Sequence, residues 1–323
     1  MGNLILVPSL IAILIALTDA GTTAPWSSSR VLVPLIVGFA GLVAFHIYEA
    51  TKYCLEPTIP MRLFTNRTTV TAYILTFIHT LDSIWIIYFL PVYFQAVLGS
   101  SPSRSGVQIL PTVLILLPFA ILGGLALTKS GRYRPFHHVG FALMTLGFGL
   151  FTLLKSSSST AEWVIFQGVT AAGSGIILST MLPAIQASLA ETDSASSTAT
   201  FAFIRSFGGI WGLTIPAVIF NNQFDHLAHQ IVDPSVRAIF VNGQAYEHAS
   251  RSFIYSFEEI TRLQIIGVYT DALKVVWEVG IALCGVAFLL AFVEKEIKLR
   301  TDLETEYGMK KEVKEKIAVE AVA

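Results

Sequence analysis

His79 and Asp82 are ionisable residues inside a long apolar stretch of the sequence, 70–98. Residues three apart share one face of a helix, and an ionisable side chain at membrane depth is costly enough to indicate a function. If this face lines a cavity, Asp82 can exchange a proton while His79 tunes its proton affinity. The structural alternative is a polar pair in which the two side chains satisfy each other.

Two further polar residues are candidates for a substrate or proton pathway. Arg205 is the only arginine deep in an apolar stretch, where it either anchors the helix by snorkelling towards the cytosolic surface or acts in gating. Gln95 lies near the outer end of the stretch that holds His79 and Asp82. The sequence therefore offers four pathway candidates, namely His79, Asp82, Gln95 and Arg205.

Motifs of known catalytic and metal sites are absent from the sequence. It contains no His-Glu-x-x-His, Cys-x-x-Cys, Gly-x-Ser-x-Gly or Walker motif. Its two cysteines, Cys54 and Cys284, predict neither a disulfide framework nor a thiolate metal site. Gly173-Ser-Gly175 resembles a fragment of a dinucleotide fingerprint, but in an apolar stretch it is better explained by close helix packing. We expect no enzyme activity, no cofactor and no metal, and the net charge of −1 argues against nucleic-acid binding.

The elements that carry these residues are predicted to be membrane-spanning helices. Of the 323 residues 54% are hydrophobic and 13% are charged, about half the charged fraction of soluble domains. A helix of about 20 apolar residues spans the ~30 Å hydrocarbon core of a bilayer. Eight stretches fit this role: 4–20, 31–48, 70–98, 107–127, 139–154, 163–189, 198–220 and 275–293. The first is the weakest, and a cleaved signal peptide is its alternative, although a positively charged n-region is missing.

Positively charged residues concentrate in three segments, 48–69, 129–134 and 294–323. All three fall on one side if eight helices alternate, which predicts that both termini are cytosolic. The sequon Asn66-Arg67-Thr68 then faces the cytosol and stays unglycosylated. The cations concerned are Lys52, Arg62, Arg67, Lys129, Arg132, Arg134, Lys295, Lys298, Arg300, Lys310, Lys311, Lys314 and Lys316.

The long connection 221–269 lies on the outer side in this topology. Five of its apolar residues recur at helix-like spacing, which predicts an amphipathic segment on the membrane surface or over the external vestibule. They are Phe253, Phe257, Ile260, Leu263 and Ile266.

The fourth and fifth apolar stretches are joined by Gly124-Leu-Ala-Leu-Thr-Lys-Ser-Gly131-Arg132-Tyr-Arg134. This segment is similar to the Gly-x-Leu-Ala-Asp-Arg-x-Gly-Arg-x-Arg hairpin of the major facilitator superfamily, with both glycines and both terminal arginines kept. Thr128 replaces the family's aspartate and Lys129 an arginine, so a charge-relay role for the loop loses its carboxylate. The resemblance implies a conformational hairpin formed by Gly124, Lys129, Gly131, Arg132 and Arg134.

Further segments resemble, in the same order, the fourteen-span drug:proton antiporter branch found in fungi. They are Trp26-Ser-Ser-Ser-Arg30, Glu56-Pro-Thr-Ile-Pro-Met-Arg-Leu-Phe-Thr-Asn-Arg67, Leu90-Pro-Val-Tyr-Phe-Gln95, Ser105-Gly-Val-Gln-Ile-Leu-Pro111, Gly131-Arg-Tyr-Arg-Pro135, Phe203-Ile-Arg-Ser-Phe-Gly-Gly209 and Val241-Asn-Gly-Gln-Ala-Tyr246. The resemblance implies an all-α multi-pass membrane protein with two linker helices and a cytosolic loop in 1–69, the family's second six-helix bundle in 70–293 and a charged cytosolic tail in 294–323. The family's first bundle has no counterpart.

The resemblance also implies a function, which is proton-coupled efflux of amphiphilic small molecules such as drugs or secondary metabolites. The expected location is the plasma membrane, with the vacuolar membrane as the alternative. A siderophore transporter of the same superfamily and a non-transporting fragment that associates with a full-length transporter are the other interpretations. Because such transporters rock two bundles around a midplane site, the chain represents a truncated gene model, a decayed gene or a half-transporter that a partner chain completes.

Overall fold

The structure is a computed structural model that describes residues 2–20, 24–51, 54, 57 and 59–299. Helices make up the regular structure of this part, which confirms the predicted all-α fold. The α-helices are α1 (Gly2–Asp19), α2 (Ser29–Glu49), α3 (Arg67–Val92), α4 (Pro102–Gln108), α5 (Leu110–Ser130), α6 (Arg134–Phe151), α7 (Thr160–Gln186), α8 (Ser194–Leu227), α9 (Pro234–Phe240), α10 (Arg251–Ile254) and α11 (Glu259–Leu290). A π-helical turn, Tyr93–Val97, extends α3, and a 3-10 turn, Ala291–Val293, follows α11.

Six helical segments of the described chain are long and apolar enough to cross a membrane, where the sequence predicts about eight. They are Ser29–Glu49, Arg67–Val97, Pro102–Ser130, Thr160–Gln186, Glu191–Gln230 and Glu259–Val293. The other two predicted spans also form helices, but their apolar parts are shorter. In α1 the apolar part is Gly2–Leu17, and the 18-residue α6 begins with polar side chains, including those of Arg134, His137 and His138.

Six helices, α3, α5, α6, α7, α8 and α11, form one body in which α7 packs against α3, α5 and α6. Glycines allow this packing. Gly173 meets the backbone of Gly140 in α6 and Gly175 meets the backbone of Leu116 in α5, so a Cβ on either glycine would collide with a carbonyl oxygen. Ser174 lies between the two glycines. The interpretation of Gly173-Ser-Gly175 as a helix-packing motif is confirmed.

The first two helices form a separate hairpin beside this body. In α2, Gly38 receives Ile13 of α1, and Gly41 receives Ser9 of α1. The hairpin meets α8 at few points, one of which is the ring pair of Phe39 and Trp211, with centroids 6.3 Å apart. Contacts among its own helices, and not contacts with the α1–α2 hairpin, therefore hold the six-helix body together.

The connection predicted at 221–269 is shorter in the structure, because α8 and α11 both extend into it. Of the five residues at helix-like spacing, the first two precede α11 and the last three lie within it, so the five do not belong to one helix. Aromatic packing folds the connection instead. The Phe240 ring centroid lies 5.7 Å from that of Phe253, 6.0 Å from that of Phe257 and 6.2 Å from that of Tyr269. These contacts hold the connection against the N-terminal half of α11.

Two glycines of α8 set its distance from α3. A Cβ on Gly208 would lie 2.7 Å from the carbonyl oxygen of Phe77, and a Cβ on Gly212 would collide with the carbonyl oxygen of Leu81. Gly209 differs, because the nearest neighbour of a Cβ there is Ile84 Cγ1 at 3.6 Å, an ordinary contact.

Gly212→Ala is expected to destabilise the protein by about 1–3 kcal/mol, because neither backbone can move without separating α3 from α8. Gly209→Ala, in the same helix, is the matched control and is expected to be neutral or slightly stabilising, since alanine favours helices over glycine. Thermal unfolding of both variants in detergent measures the difference. Equal melting temperatures for the two variants would contradict the assignment of Gly212 as the close-contact residue.

Candidate functional site

Asp82 lies in the packed core, on the side of α3 that faces α11. Its side chain is fully buried, and its Oδ2 accepts a hydrogen bond from the Cys284 thiol at 3.0 Å. Within the described part of the chain, Oδ1 has no hydrogen-bond partner. A thiol is a weak donor, so one weak hydrogen bond holds this carboxyl group in largely apolar surroundings.

His79 faces α7 instead. Its Nε2 lies 2.9 Å from Ser174 Oγ and 3.1 Å from the Ser174 carbonyl oxygen. The hydroxyl of Ser83 donates to the His79 carbonyl oxygen at 2.7 Å and lies 3.2 Å from Ser174 Oγ. His79 is buried and Ser83 is half-buried, so a short polar chain leads from the partly open side of α3 to the imidazole.

The two ionisable residues therefore bond to different helices, and they do not form the mutually satisfied pair that the sequence allowed. Asp82 does not line the cleft that the structure shows beside the first two helices. A cleft of about 1180 Å³ separates the α1–α2 hairpin from the six-helix body, and on α3 it is lined by Ile84 and Tyr88. Because successive residues of a helix turn by 100°, Ile84 lies almost opposite Asp82 on α3.

The other two pathway candidates lie in α8 and in the turn that follows α3. Arg205 is half-buried in α8, with its guanidinium carbon 5.5 Å from the ring centroid of Phe201. Gln95 is half-buried in the π-helical turn that follows α3, about 24 Å along the helix axis from His79 at a rise of 1.5 Å per residue. The structure therefore places Arg205 within electrostatic range of His79 and separates Gln95 from His79 and Asp82.

The predicted hairpin joins α5 to α6 with a left-handed residue. Gly131 has φ +65°, caps α5 and donates its N–H to the Leu127 carbonyl oxygen at 2.8 Å. This backbone conformation explains the need for glycine there. Lys129 and Arg132 are exposed. The residue in close contact with α7 is Gly123, whose Cβ would lie 3.2 Å from Ile176 Cα, and not the neighbouring Gly124 that the family resemblance selects.

A polar cluster at this end of the bundle was missed by the sequence analysis. His137 Nδ1 and Glu294 Oε2 are 2.7 Å apart, and both side chains are fully buried. The Tyr133 hydroxyl donates to the Lys295 carbonyl oxygen, and the Lys295 N–H donates to Thr68 Oγ1 at 3.1 Å. We call Thr68, Tyr133, His137, Glu294 and Lys295 the base cluster. No spacing signal could have identified it, because its members lie at the polar ends of separate apolar stretches.

The base cluster ties the segment after α11 to the hairpin. Burial raises the pKa of Tyr133 to about 12, so its phenol remains protonated and available as a donor at neutral pH. Arg134 adds a hydrogen bond from Nη2 to the Phe292 carbonyl oxygen at 3.0 Å. Ile297 and Leu299 pack beside Tyr133. The hairpin, the start of α3 and the end of α11 therefore meet in one place.

The described parts of the three cationic segments lie at this same end. Arg62 Nε forms an ion pair with Asp193 Oδ1 at 2.7 Å, which ties the loop before α3 to the start of α8. Asn66 caps α3 by accepting the Thr68 N–H at 2.8 Å. Seven of the predicted residues, Lys52, Glu56, Arg300, Lys310, Lys311, Lys314 and Lys316, lie outside the described residues.

Curated relatives match this chain along almost its whole length. The MFS-type transporter gkaD of Penicillium citrinum is 52% identical over 315 residues, which are 97% of this chain and 54% of the relative. The acurin A biosynthesis cluster MFS-type transporter of Aspergillus aculeatus is 50% identical, over 95% of this chain and 56% of the relative. The MFS efflux transporter aclA of Aspergillus oryzae is 45% identical, over 96% and 56%. The chain thus spans about half the length of the curated relatives it matches.

A solved structure shares the fold. It is the crystal structure of a bacterial homologue of the human lysosomal transporter Spinster, in an inward-facing and occupied conformation. The TM-score is 0.56 at 16% identity, and the match covers 88% of this chain and 66% of that chain. No family model matches the chain.

His137→Ala is expected to lower the free energy of unfolding by about 3–5 kcal/mol, because it leaves the buried Glu294 carboxyl group without its partner. The double variant His137→Ala/Glu294→Ala should cost less than the sum of the single variants, as measured by a double-mutant cycle in detergent. Arg62→Ala is the control, since the Arg62 side chain is 59% exposed and its ion pair with Asp193 should contribute about 0–1 kcal/mol. Additive costs for His137 and Glu294 would rule out the coupling.

Proposed function

We propose that the chain, which is similar to MFS-type transporters over almost its whole length, forms part of a membrane efflux transporter for amphiphilic small molecules. The observation that carries the proposal is the similarity to proteins named as MFS-type transporters and efflux pumps, at 45–52% identity over 95–99% of this chain. One of these relatives is named for a biosynthesis cluster, which favours a secondary metabolite as cargo.

The six-helix body supplies one of the two units that such a transporter needs. Transporters of this class bind substrate near the midplane between two bundles and rock one against the other. The relatives are nearly twice as long as this chain, which supports a working form with a second bundle. That bundle belongs either to a longer product of the same gene or to a partner chain.

Proton coupling is assigned in this proposal to His79 and Asp82. Asp82 is the buried acid that binds the proton, and the Ser83–Ser174–His79 chain provides polar groups between the partly open side of α3 and the core. Because Asp82 faces α11 and not the cleft, proton exchange requires α3 and α11 to move relative to each other. A bundle that rocks during transport provides such a movement.

Arg205 and Gln95 keep separate roles in the proposal. Arg205, stacked on Phe201 and half-buried, anchors α8, and Gln95 contacts substrate near the outer end of α3. The conformational hairpin Gly124, Lys129, Gly131, Arg132 and Arg134 acts at the opposite end.

We further propose that the cation-bearing end faces the cytosol and that the membrane is the plasma membrane. Arg62, Lys129, Arg132, Arg134 and Lys295 lie at the end of the bundle that carries the base cluster, and cationic loops are retained on the cytosolic side. In this orientation the sequon at Asn66 is cytosolic and unmodified.

Asp82→Asn is expected to abolish export that is driven by a proton gradient, because the amide cannot bind and release the proton. The first step is to read the transcript's 5′ end together with the genomic sequence upstream of Met1, which decides the protein to express. Accumulation of an amphiphilic dye in an efflux-deficient host then measures export at several external pH values. Asp271→Asn is the matched control, since Asp271 is an exposed acid on α11.

Three results would redirect the proposal. Unchanged export by Asp82→Asn would remove the proton role of this residue. A growth defect confined to iron-limited medium would indicate a siderophore transporter. Co-purification with an intact transporter, without any change in dye accumulation, would indicate a non-transporting fragment.

A further inference from the structure

The α3–α11 contact treats the two oxygens of Asp82 differently. Oδ2 accepts the hydrogen bond from Cys284 Sγ at 3.0 Å, whereas Oδ1 has no partner among the described residues. Both side chains are fully buried. A carboxyl group that carries a proton presents one oxygen as a carbonyl acceptor and the other as the hydroxyl. The thiol therefore distinguishes the two oxygens before any proton arrives.

We propose that Cys284 is a positioning residue of the proton site, which reserves Oδ2 as the acceptor and leaves Oδ1 as the atom that binds the transported proton. This inference rests on the proposed function, in which Asp82 carries that proton. Uptake forms an O–H bond at Oδ1 with a proton from water, and release breaks the same bond and returns the proton to water. The thiol keeps its own proton throughout.

Among the described residues around Asp82, Cys284 is the side chain that hydrogen-bonds to the Asp82 carboxyl group. On α11 it faces Cys284, and on α3 the nearest ionisable residue is His79, which is bonded to Ser174 of α7. The core around the pair is apolar on the sides of α6 and α7, with Phe141, Met144, Phe148, Ile177 and Met181. Arg205 of α8 stacks on Phe201.

The geometry of α11 fixes the position of the thiol. Gly280, one turn before Cys284, receives the ring of Phe148 from α6, and a Cβ there would collide with that ring. The Phe148 ring in turn meets the Trp85 ring edge-on, with centroids 6.3 Å apart. Trp85 follows Asp82 by three residues on α3. These contacts lock the rotation of α11 and direct Cys284 at Asp82.

Infrared difference spectroscopy of the reconstituted protein, recorded between two pH values, tests the proposal directly. The carbonyl stretching band of protonated Asp82 is identified by its loss in Asp82→Asn. In Cys284→Ala this band should shift to higher frequency, because its carbonyl oxygen loses a donor. In Cys284→Ser it should shift to lower frequency or stay, because a hydroxyl is a stronger donor than a thiol. Cys54→Ser, which removes the other cysteine, should leave the band unchanged.

The S–H stretching band supplies a second measurement that does not depend on transport. In a Cys54→Ser background this band reports Cys284 alone, and it should move to higher frequency in Asp82→Ala, which removes the acceptor oxygen. The pH dependence of dye export should shift in Cys284→Ala and be restored in Cys284→Ser. A purely structural cysteine would change the amount of folded protein but not the pH profile.

The outcomes separate this inference from the proposed function. An Asp82 band that titrates but does not move in Cys284→Ala overturns the role of Cys284 and leaves the proton role of Asp82 intact. An Asp82 band that does not change at any pH overturns both. If Cys284→Ala does not fold, an S–H band in the Cys54→Ser protein that is the same with and without Asp82→Ala overturns the positioning role by itself.

Discussion

The close packing of α7 against three neighbours is the constraint on which the bundle depends. Gly173 and Gly175 bring the backbones of α6 and α5 into contact with α7, and Ser174 between them is thereby held against His79 of α3. Helices in a bilayer gain little from hydrophobic association, so close van der Waals contact and interhelical hydrogen bonds carry the association. A larger residue at either glycine would displace Ser174. Close helix packing therefore sets the geometry of the Ser83–Ser174–His79 chain.

Local composition was sufficient to predict the helices, because a segment in lipid must satisfy its backbone internally and be apolar over its length. The stretch predicted at 163–189 is observed as Thr160–Gln186. Where length was marginal the prediction was less accurate, as in α6, whose first turns carry polar side chains. Helix-like spacing also did not reveal how the connection 221–269 folds, because the Phe240 ring contacts aromatic rings that are distant in sequence.

The sequence could not predict which side chains contact His79 and Asp82. His79 and Asp82 stood out by their cost in an apolar stretch, but the helix that each one meets depends on the rotation of α3 in the assembled bundle. Cys284 lies 202 residues from Asp82 and looks like any cysteine in an apolar stretch. In the hairpin the motif includes Gly131, which the structure shows in the left-handed conformation, yet the close contact with α7 falls on Gly123, which the motif does not mark.

The base cluster has a consequence for the biogenesis of the protein. Glu294 follows His137 by 157 residues, so at 5–20 residues per second the ribosome makes the partner roughly 8–30 s after the imidazole. During that interval the start of α6 is present without the carboxyl group that pairs with His137. The base cluster therefore cannot close before the residues that follow α11 have been synthesised.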